Sequence, residues 1–156
     1  MDQYRPFFTQ LQLAKCQCKA VDSATLPLEK LSFLRGGFLI IQAMCDAWLL
    51  HETPEQGAEH YPNSLSEFNR QGKECSVEFL PASIIQLQQS DWFDDFLKIM
   101  SLVEDLNDSM FVEQNSPVNV IAVSEPAPQP SLSSLKAAIL NFEQYFDAQM
   151  KLSEEY

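Results

Sequence analysis

The sequence predicts an all-α protein: a single-domain helical bundle of about five helices, with a Pro-rich linker before the last helix. Three segments favour helices most strongly, residues 2–21, 28–51 and 90–106, because their apolar residues recur every three or four positions. No internal repeat of 20 to 50 residues competes with this interpretation. With 156 residues, 46% of them hydrophobic, the chain fits one domain with a core of ordinary size.

The first two predicted helices differ in how apolar they are. The first is amphipathic, with one stripe made of Phe7, Phe8, Leu11, Ala14, Cys18 and Val21. The second begins at Pro27, which suits a first helical turn, and runs to about His51. Apolar residues cover more than one face of this second helix. We therefore expect it to be the central helix of the core.

Two adjacent glycines, Gly36 and Gly37, lie in the middle of the second predicted helix. Each costs about 1 kcal/mol relative to Ala in a helix interior, so something should compensate for them. We expect close approach of another helix or a local kink at this point; contact with a ligand is the alternative.

The middle of the chain predicts shorter elements. Residues 64–67, Ser-Leu-Ser-Glu, form a capping-box pattern that predicts a short third helix ending near Gly72. Pro81 must interrupt any helix in residues 75–89, where we predict one or two short helical turns.

The C-terminal part contains two more predicted helices and the linker between them. After the helix at 90–106, residues 107–130 are polar and Pro-rich and are interpreted as a linker within the one domain, 1–156. The apolar island at 118–123 is β-branched and could be an isolated extended segment. A last helix starts at Ser131, with a stripe made of Leu132, Leu135, Ile139, Phe142, Phe146 and Met150.

The net charge restricts the partners. Ten Lys and Arg against 22 Asp and Glu give −12, so the average field repels phosphate backbones and anionic lipids. The sequence therefore predicts no nucleic-acid partner and no membrane partner. The start of the chain lacks a basic segment followed by an apolar one, and the apolar stretch 37–50 is interrupted by Gln42 and Asp46. We expect a cytoplasmic protein.

The sequence contains few of the residues and motifs that are typical of enzyme active sites. Four glycines, at positions 36, 37, 57 and 72, form no phosphate-binding loop. The two histidines, His51 and His60, stand in no pattern typical of a catalytic triad. The sequence therefore predicts that the protein is not an enzyme and binds no cofactor.

Metal binding is also disfavoured. Cys16 and Cys18 are two apart on a predicted helix and so point about 200° apart, which prevents them from chelating one ion. We expect both, together with Cys45 and Cys75, to be free thiols. A weak divalent site formed by His51, Glu52, Glu55, Glu59 and His60 is conceivable, but a solvated acidic loop is the interpretation we favour.

Acidic side chains follow two of the predicted helices. One row contains Asp91, Asp94, Asp95, Glu104, Asp105 and Asp108, and the other contains Glu143, Asp147, Glu154 and Glu155. A solvated outer face is the simpler interpretation. The alternative is a surface that mimics the charge spacing of nucleic acid and occupies a basic groove of another protein.

The order of several segments resembles a family of small, uncharacterised gammaproteobacterial helical proteins. The segments are Tyr4, residues 10–14, 48–52 and 64–65, and the Ser-Asp-Trp-Phe-Asp-Asp-Phe-Leu run at 90–97. The resemblance implies a bacterial cytoplasmic protein, and it supplies no activity, cofactor or catalytic residue.

These observations favour a non-enzymatic protein-interaction module that binds a protein partner or a second copy of itself. An acidic inhibitor or nucleic-acid mimic is the alternative, and an enzyme of unrecognised type is the third. The candidate interface residues are Tyr61, Phe68, Arg70, Met110, Phe111 and Val112, with Tyr4, Arg5 and Phe7 as further candidates. We expect the patch around Phe111, with residues 118–123 beside it, to cover a groove of the bundle or to bind a partner.

Overall fold

The computed structural model describes residues 2–52, 81–103 and 129–155, and within these ranges it contains five α-helices and no strand. A 3-10 turn, Asp2–Tyr4, precedes the first helix. The helices are α1 Arg5–Ser23, α2 Pro27–Glu52, α3 Ala82–Gln88, α4 Asp91–Val103 and α5 Leu132–Glu155. The predicted all-α helical bundle is confirmed. The third helix predicted at 64–72, and the segment at 118–123, lie outside the described residues.

α1 packs most extensively on α2 and also lies against α5. Near the start of α1, the Tyr4 hydroxyl donates to the backbone carbonyl of Gln149, near the end of α5, at 3.4 Å. Near the end of α1, Asp22 Oδ2 lies 3.7 Å from Nζ of Lys136, near the start of α5. α1 and α5 are therefore antiparallel.

α2 and α5 run in the same direction. Gly37 of α2 lies against Leu135, and Trp48, eleven residues later in α2, contacts Tyr145, ten residues later in α5. Since α5 is antiparallel to α1, α2 is antiparallel to α1 as well.

α4 packs on α5 through aromatic rings. The ring centroid of Trp92 lies 6.4 Å from Tyr145 and 4.9 Å from Phe142, and Phe96, one turn later, lies 5.2 Å from Phe142. Later residues of α4 therefore contact earlier residues of α5, which makes the two helices antiparallel. The four long helices thus alternate in direction, as in an up-down-up-down bundle.

The core runs through all five described helices. Its largest fully buried side chains are Trp48, Phe38, Phe93, Phe96, Phe142, Phe146, Leu11, Ile41, Met44, Leu49, Ile84 and Leu87. α3 contributes Ile84 and Leu87 although it has only seven residues. It begins directly after Pro81, whose carbonyl accepts from the amides of Ile84 and Ile85, each at 3.0 Å. The prediction of short helical turns after Pro81 is confirmed.

α5 begins with a reciprocal cap. The Ser134 amide donates to Oγ of Ser131 at 3.0 Å, and the Ser131 amide donates to Oγ of Ser134 at 2.7 Å. Ser134 takes the place that Glu has in the usual capping box. The start of the last helix predicted at Ser131 agrees with this arrangement.

By length and composition alone, α2 is long and apolar enough to cross a membrane. This differs from the expectation based on residues 37–50, because the whole helix of 26 residues is considered. In the fold, 44% of its most apolar window is buried, and core helices of soluble proteins meet the same criterion.

The two glycines of α2 lie where α1 and α5 approach the helix closely, as expected. A Cβ on Gly37 would lie 2.5 Å from Cδ2 of Leu135 and 3.3 Å from Cβ of Gln17. A Cβ on Gly36 would meet Oε1 of Gln17 at 3.2 Å. Leu135 is fully buried, whereas the Gln17 side chain is only half-buried and its end can rotate away.

We expect Gly37→Ala to destabilise the protein and Gly36→Ala to stabilise it. At Gly37, overpacking of about 1–3 kcal/mol outweighs the gain in helix propensity. At Gly36, the gain of about 1 kcal/mol dominates. Urea denaturation of the two variants measures both changes. Stabilisation of both variants would contradict the inference that Leu135 leaves no room for a Cβ at Gly37.

Candidate functional site

A line of exposed side chains follows the outward face of α2 from one end to the other. Its members are Leu28, Ser32, Arg35, Leu39, Ala43, Asp46 and Leu50, and we refer to them as the α2 stripe. They recur every three or four residues, which places them on one side of a helix. All are exposed except Asp46, which is half-buried.

Three leucines make the α2 stripe apolar. Leu28 is 62% exposed, Leu39 is 42% exposed and Leu50 is 53% exposed. On α1, Leu13 precedes Gln17 by one turn and is 46% exposed. Because α1 and α2 are antiparallel and Gln17 lies against Gly36 and Gly37, Leu13 lies beside the middle of the stripe. The other exposed leucines of the described residues lie apart from this line: Leu26, Leu102, Leu140 and Leu152.

The sequence contained a signal for this surface, which our interpretation missed. Apolar residues cover more than one face of α2, and from this surplus we predicted only that α2 is the central helix of the core. The buried face is confirmed, with Leu34, Phe38, Ile41 and Trp48 in the core. The opposite face is exposed because α1 and α5 cover only part of the helix. The prediction that α2 is the central helix of the core is confirmed, because α2 contacts each of the other four described α-helices, although one of its faces is exposed.

Charge is divided unequally along the chain. Residues 1–52, which include α1 and α2, contain five basic and five acidic residues. Residues 53–156 contain five basic and 17 acidic residues, so this part carries the entire net charge of −12. The α2 stripe thus belongs to a neutral part of a strongly acidic protein.

A hydrogen-bonded chain of polar groups lies where α2 ends and α3 begins. Ser83 Oγ donates to Oε1 of Glu52 at 2.6 Å, and Nδ1 of His51 lies 3.3 Å from Oε2 of the same carboxylate. The Tyr145 hydroxyl donates to the Ser83 carbonyl at 2.7 Å and accepts from Nε1 of Trp48 at 3.1 Å. These bonds fix α3 to α2 and α5.

The order of groups in this chain does not suit nucleophilic catalysis. In a Ser-His-Asp triad the serine donates to the histidine, and the carboxylate lies on the far side of the ring. Here Ser83 donates to the carboxylate itself, and the ring of His51 stacks on Trp48 with centroids 5.6 Å apart. This arrangement gives Ser83 no imidazole base and supports a structural role for the junction.

Burial raises the pKa of the Tyr145 phenol, and nearby Glu52 adds to this shift, while the hydrogen bond from Trp48 opposes it. The folded state therefore holds this proton more tightly than the unfolded state does. Its contribution to stability is complete below the ordinary tyrosine pKa of about 10 and is lost as the pH rises above that value.

We expect Tyr145→Phe to cost about 1–3 kcal/mol at neutral pH, because Trp48 Nε1 loses its buried acceptor and the Ser83 carbonyl its donor. The variant should also show a smaller further loss of stability above pH 10 than the unmodified protein. Urea denaturation at pH 7, 9 and 11 measures both effects. Trp48→Phe is the control, since it breaks one of the same hydrogen bonds but keeps the phenol. An unchanged alkaline loss in Tyr145→Phe would contradict the assignment.

Three cysteines are described, and all three are free: Cys16 is exposed, whereas Cys18 and Cys45 are buried. Burial raises the pKa of the Cys18 thiol and raises that of Cys45 further above its ordinary value. The prediction of free thiols is confirmed for these three, and Cys75 lies outside the described residues. Within the described ranges, no group of three potential metal ligands comes together. Glu55, Glu59 and His60 of the conceivable loop site are not among the described residues.

Lysines lie close to several members of the two acidic rows. Glu143 lies 2.7 Å from Lys15, Asp147 lies 3.1 Å from Lys151, and Asp94 lies 3.5 Å from Lys98. Exposed pairs of this kind contribute about 0–1 kcal/mol each. They reduce the negative potential of both rows locally. Glu104, Asp105 and Asp108 lie outside the described residues.

The six candidate interface residues all lie outside the described residues: Tyr61, Phe68, Arg70, Met110, Phe111 and Val112. Their role stays a prediction. Of the further candidates, Arg5 is exposed, but Tyr4 and Phe7 are each only 6% exposed. The prediction that Tyr4 and Phe7 contact a partner is therefore wrong, because both rings pack on Trp48 in the core.

The described helices define the class of the protein as an all-α, antiparallel helical bundle with a short helix, α3, fixed to its end. No protein-family model, curated protein or solved structure matches the chain. The resemblance to a gammaproteobacterial helical family therefore stays a prediction.

Proposed function

We propose that this chain is a non-enzymatic protein-interaction module that binds a protein partner through the α2 stripe and Leu13. The observation that carries the proposal is the line of three exposed leucines, Leu28, Leu39 and Leu50, along one helix. Single exposed leucines are common on protein surfaces, but three that recur at equal spacing on one helix face suit an interaction site.

The position of the stripe supports binding rather than catalysis. α2 is held by a well-packed core on its inner face, so its outer face is a rigid surface that loses little entropy on binding. Ser32 and Ala43 are small and leave room between the leucines for side chains of a partner helix. Arg35 adds a residue type that is enriched at interfaces.

Capture of partners by the full-length chain tests the proposal. We expect a tagged chain to retain a protein from lysate of its source, and Leu39→Glu to lose it. Leu140→Glu is the matched control, because Leu140 is 55% exposed on α5, away from the stripe. Retention should change little with salt, since apolar contacts dominate. Equal retention by both variants would contradict a function of the α2 stripe.

An acidic inhibitor or nucleic-acid mimic is the second candidate, and the concentration of all net charge in residues 53–156 favours it. Such a protein would bind a basic groove, and binding would weaken steeply with salt. The double variant Asp91→Asn, Asp95→Asn removes two exposed carboxylates from α4 and should then weaken capture. Capture that depends on these residues and not on Leu39 would favour the mimic.

We further propose that the protein acts in the cytoplasm and without a cofactor. The negative charge that repels anionic lipids supports this location. Fractionation of cells that express the full chain tests it: recovery in the membrane fraction after a salt wash would contradict the proposal.

A further inference from the structure

We propose that the partner of the α2 stripe is a second copy of this chain, docked with the two α2 helices antiparallel about a two-fold axis at Leu39. This inference rests on the proposed function and specifies its partner. Three features support this dimer: the spacing of the residues in the stripe, the charges of the stripe and the distribution of charge along the chain.

The α2 stripe is symmetric about its centre. Leu28 and Leu50 each lie eleven residues from Leu39, Ser32 and Asp46 each lie seven, and Arg35 and Ala43 each lie four. When two antiparallel helices cross at Leu39, residues at equal distances on opposite sides face one another. Leu39 then meets Leu39 of the second copy, and Leu28 meets Leu50 at both ends, about 16 Å from the axis. A two-fold interface requires this kind of self-complementary pattern.

The charges of the stripe select the antiparallel arrangement. Arg35 lies before the centre and Asp46 lies after it. In the antiparallel dimer Arg35 faces Ala43 of the second copy, which is three residues, or about 4.5 Å, from Asp46. Each guanidinium can therefore reach a carboxylate, and the symmetry gives two such pairs. A parallel dimer would instead bring like charges together, Arg35 to Arg35 and Asp46 to Asp46.

The distribution of net charge selects this face over others. Two copies with a net charge of −12 each repel one another. Docking through α2 brings together helices of the neutral part of the sequence, residues 1–52. Contact through α4 would bring Asp91, Asp94 and Asp95 of the two copies together. Of the two described α-helices in the neutral segment, α2 is the one with several aligned exposed leucines.

Sedimentation equilibrium of the full chain, from about 1 to 500 μM, tests the proposal, since an interface of one helix pair flanked by Leu13 favours a weak dimer. We expect a reversible monomer–dimer equilibrium. Leu39→Glu places two carboxylates on the axis and should weaken the dimer at least tenfold, whereas Leu140→Glu should leave it unchanged. Circular dichroism of each variant verifies that the fold is intact.

Charge reversal provides a test that loss of folding cannot imitate. Arg35→Glu alone should weaken the dimer, because it places a carboxylate within reach of Asp46 of the second copy, three residues from the Ala43 that it faces. The double variant Arg35→Glu, Asp46→Arg restores opposite charges across the interface and should recover most of the affinity. If the double variant were weaker than Arg35→Glu, the proposed register would be wrong.

Disulfide trapping distinguishes antiparallel from parallel docking. In a background of Cys16→Ser and Cys75→Ser, a mixture of Leu28→Cys and Leu50→Cys chains should cross-link under mild oxidation. Leu28→Cys chains alone should not, because two such residues lie at opposite ends of the antiparallel dimer. Efficient cross-linking of Leu28→Cys chains with one another would overturn the antiparallel arrangement.

The remaining outcomes separate this inference from the proposed function. A chain that stays monomeric at all concentrations, but captures another protein through Leu39, overturns the dimer and leaves the interaction module intact. A monomer that captures nothing contradicts both. A monomer that instead sediments with phosphatidylcholine vesicles through Leu39 overturns both in favour of a lipid surface. A dimer that is unaffected by Leu39→Glu overturns the assignment of the α2 stripe.

Discussion

Replacing Trp48 with Ala is expected to lower the free energy of unfolding by about 3–5 kcal/mol. The side chain is 1% exposed, and its ring lies within 6.0 Å, centroid to centroid, of the rings of Tyr4, Phe7, Tyr145 and Phe146. These residues belong to three different parts of the bundle, so the cavity left by the substitution cannot be filled by a local adjustment. The Tyr145 hydroxyl would also lose the hydrogen bond that it accepts from Nε1 of Trp48.

Trp92→Ala is the natural comparison, because the chain contains two tryptophans and this one is only half-buried. We expect a clearly smaller loss for Trp92→Ala than for Trp48→Ala in urea denaturation followed by circular dichroism. Equal losses would mean that the ring cluster around Trp48 is not the central part of the core.

Phe142→Ala should also lower the free energy of unfolding by about 3–5 kcal/mol. Unlike Trp48→Ala, it should act mainly on the packing of α4. Phe142 is fully buried, and its ring lies against those of Trp92, Phe93 and Phe96 of α4. It also stacks on Phe146 of its own helix, at 6.0 Å. The substitution therefore removes the main aromatic contact between α4 and α5.

Hydrogen exchange of the backbone amides distinguishes this effect from general destabilisation. In Phe142→Ala, the amides of α4 should lose protection more than those of α1 and α2 do. Leu140→Ala, at an exposed position two residues away, is the control and should change stability by less than about 0.5 kcal/mol. Uniform loss of protection would show that α4 does not depend on Phe142 in particular.

The long helices were predictable because local signals mark them. The predicted second helix, from Pro27 to about His51, agrees with Pro27–Glu52, since Pro27 marks its start and its apolar pattern continues to its end. α3 was less clear because Pro81 looked only like an interruption. In the structure its carbonyl accepts the first hydrogen bonds of α3, so Pro81 also starts a helix.

The candidate site could be predicted only in part, because it depends on which helices become neighbours. The apolar surplus of α2 is visible in the sequence, but the exposed side of the helix is decided by where α1 and α5 pack. The junction at Glu52 is harder still, since Ser83 and Tyr145 are 31 and 93 residues away in the chain. No periodicity connects residues so distant, and only the assembled bundle brings them into hydrogen-bond distance.

The ring cluster around Trp48 also has a consequence for synthesis on the ribosome. Phe7 stacks on Phe146 at 5.2 Å, so the inner faces of α1 and α2 find their partner only after nearly the whole described chain has been translated. Until then the nascent α1–α2 hairpin lacks the rings of α5 against which Phe7 and Trp48 pack. Nascent chains with such surfaces aggregate or bind chaperones. We therefore expect ribosome-bound chains truncated before α5 to be bound by a chaperone, and full-length chains to be released from it.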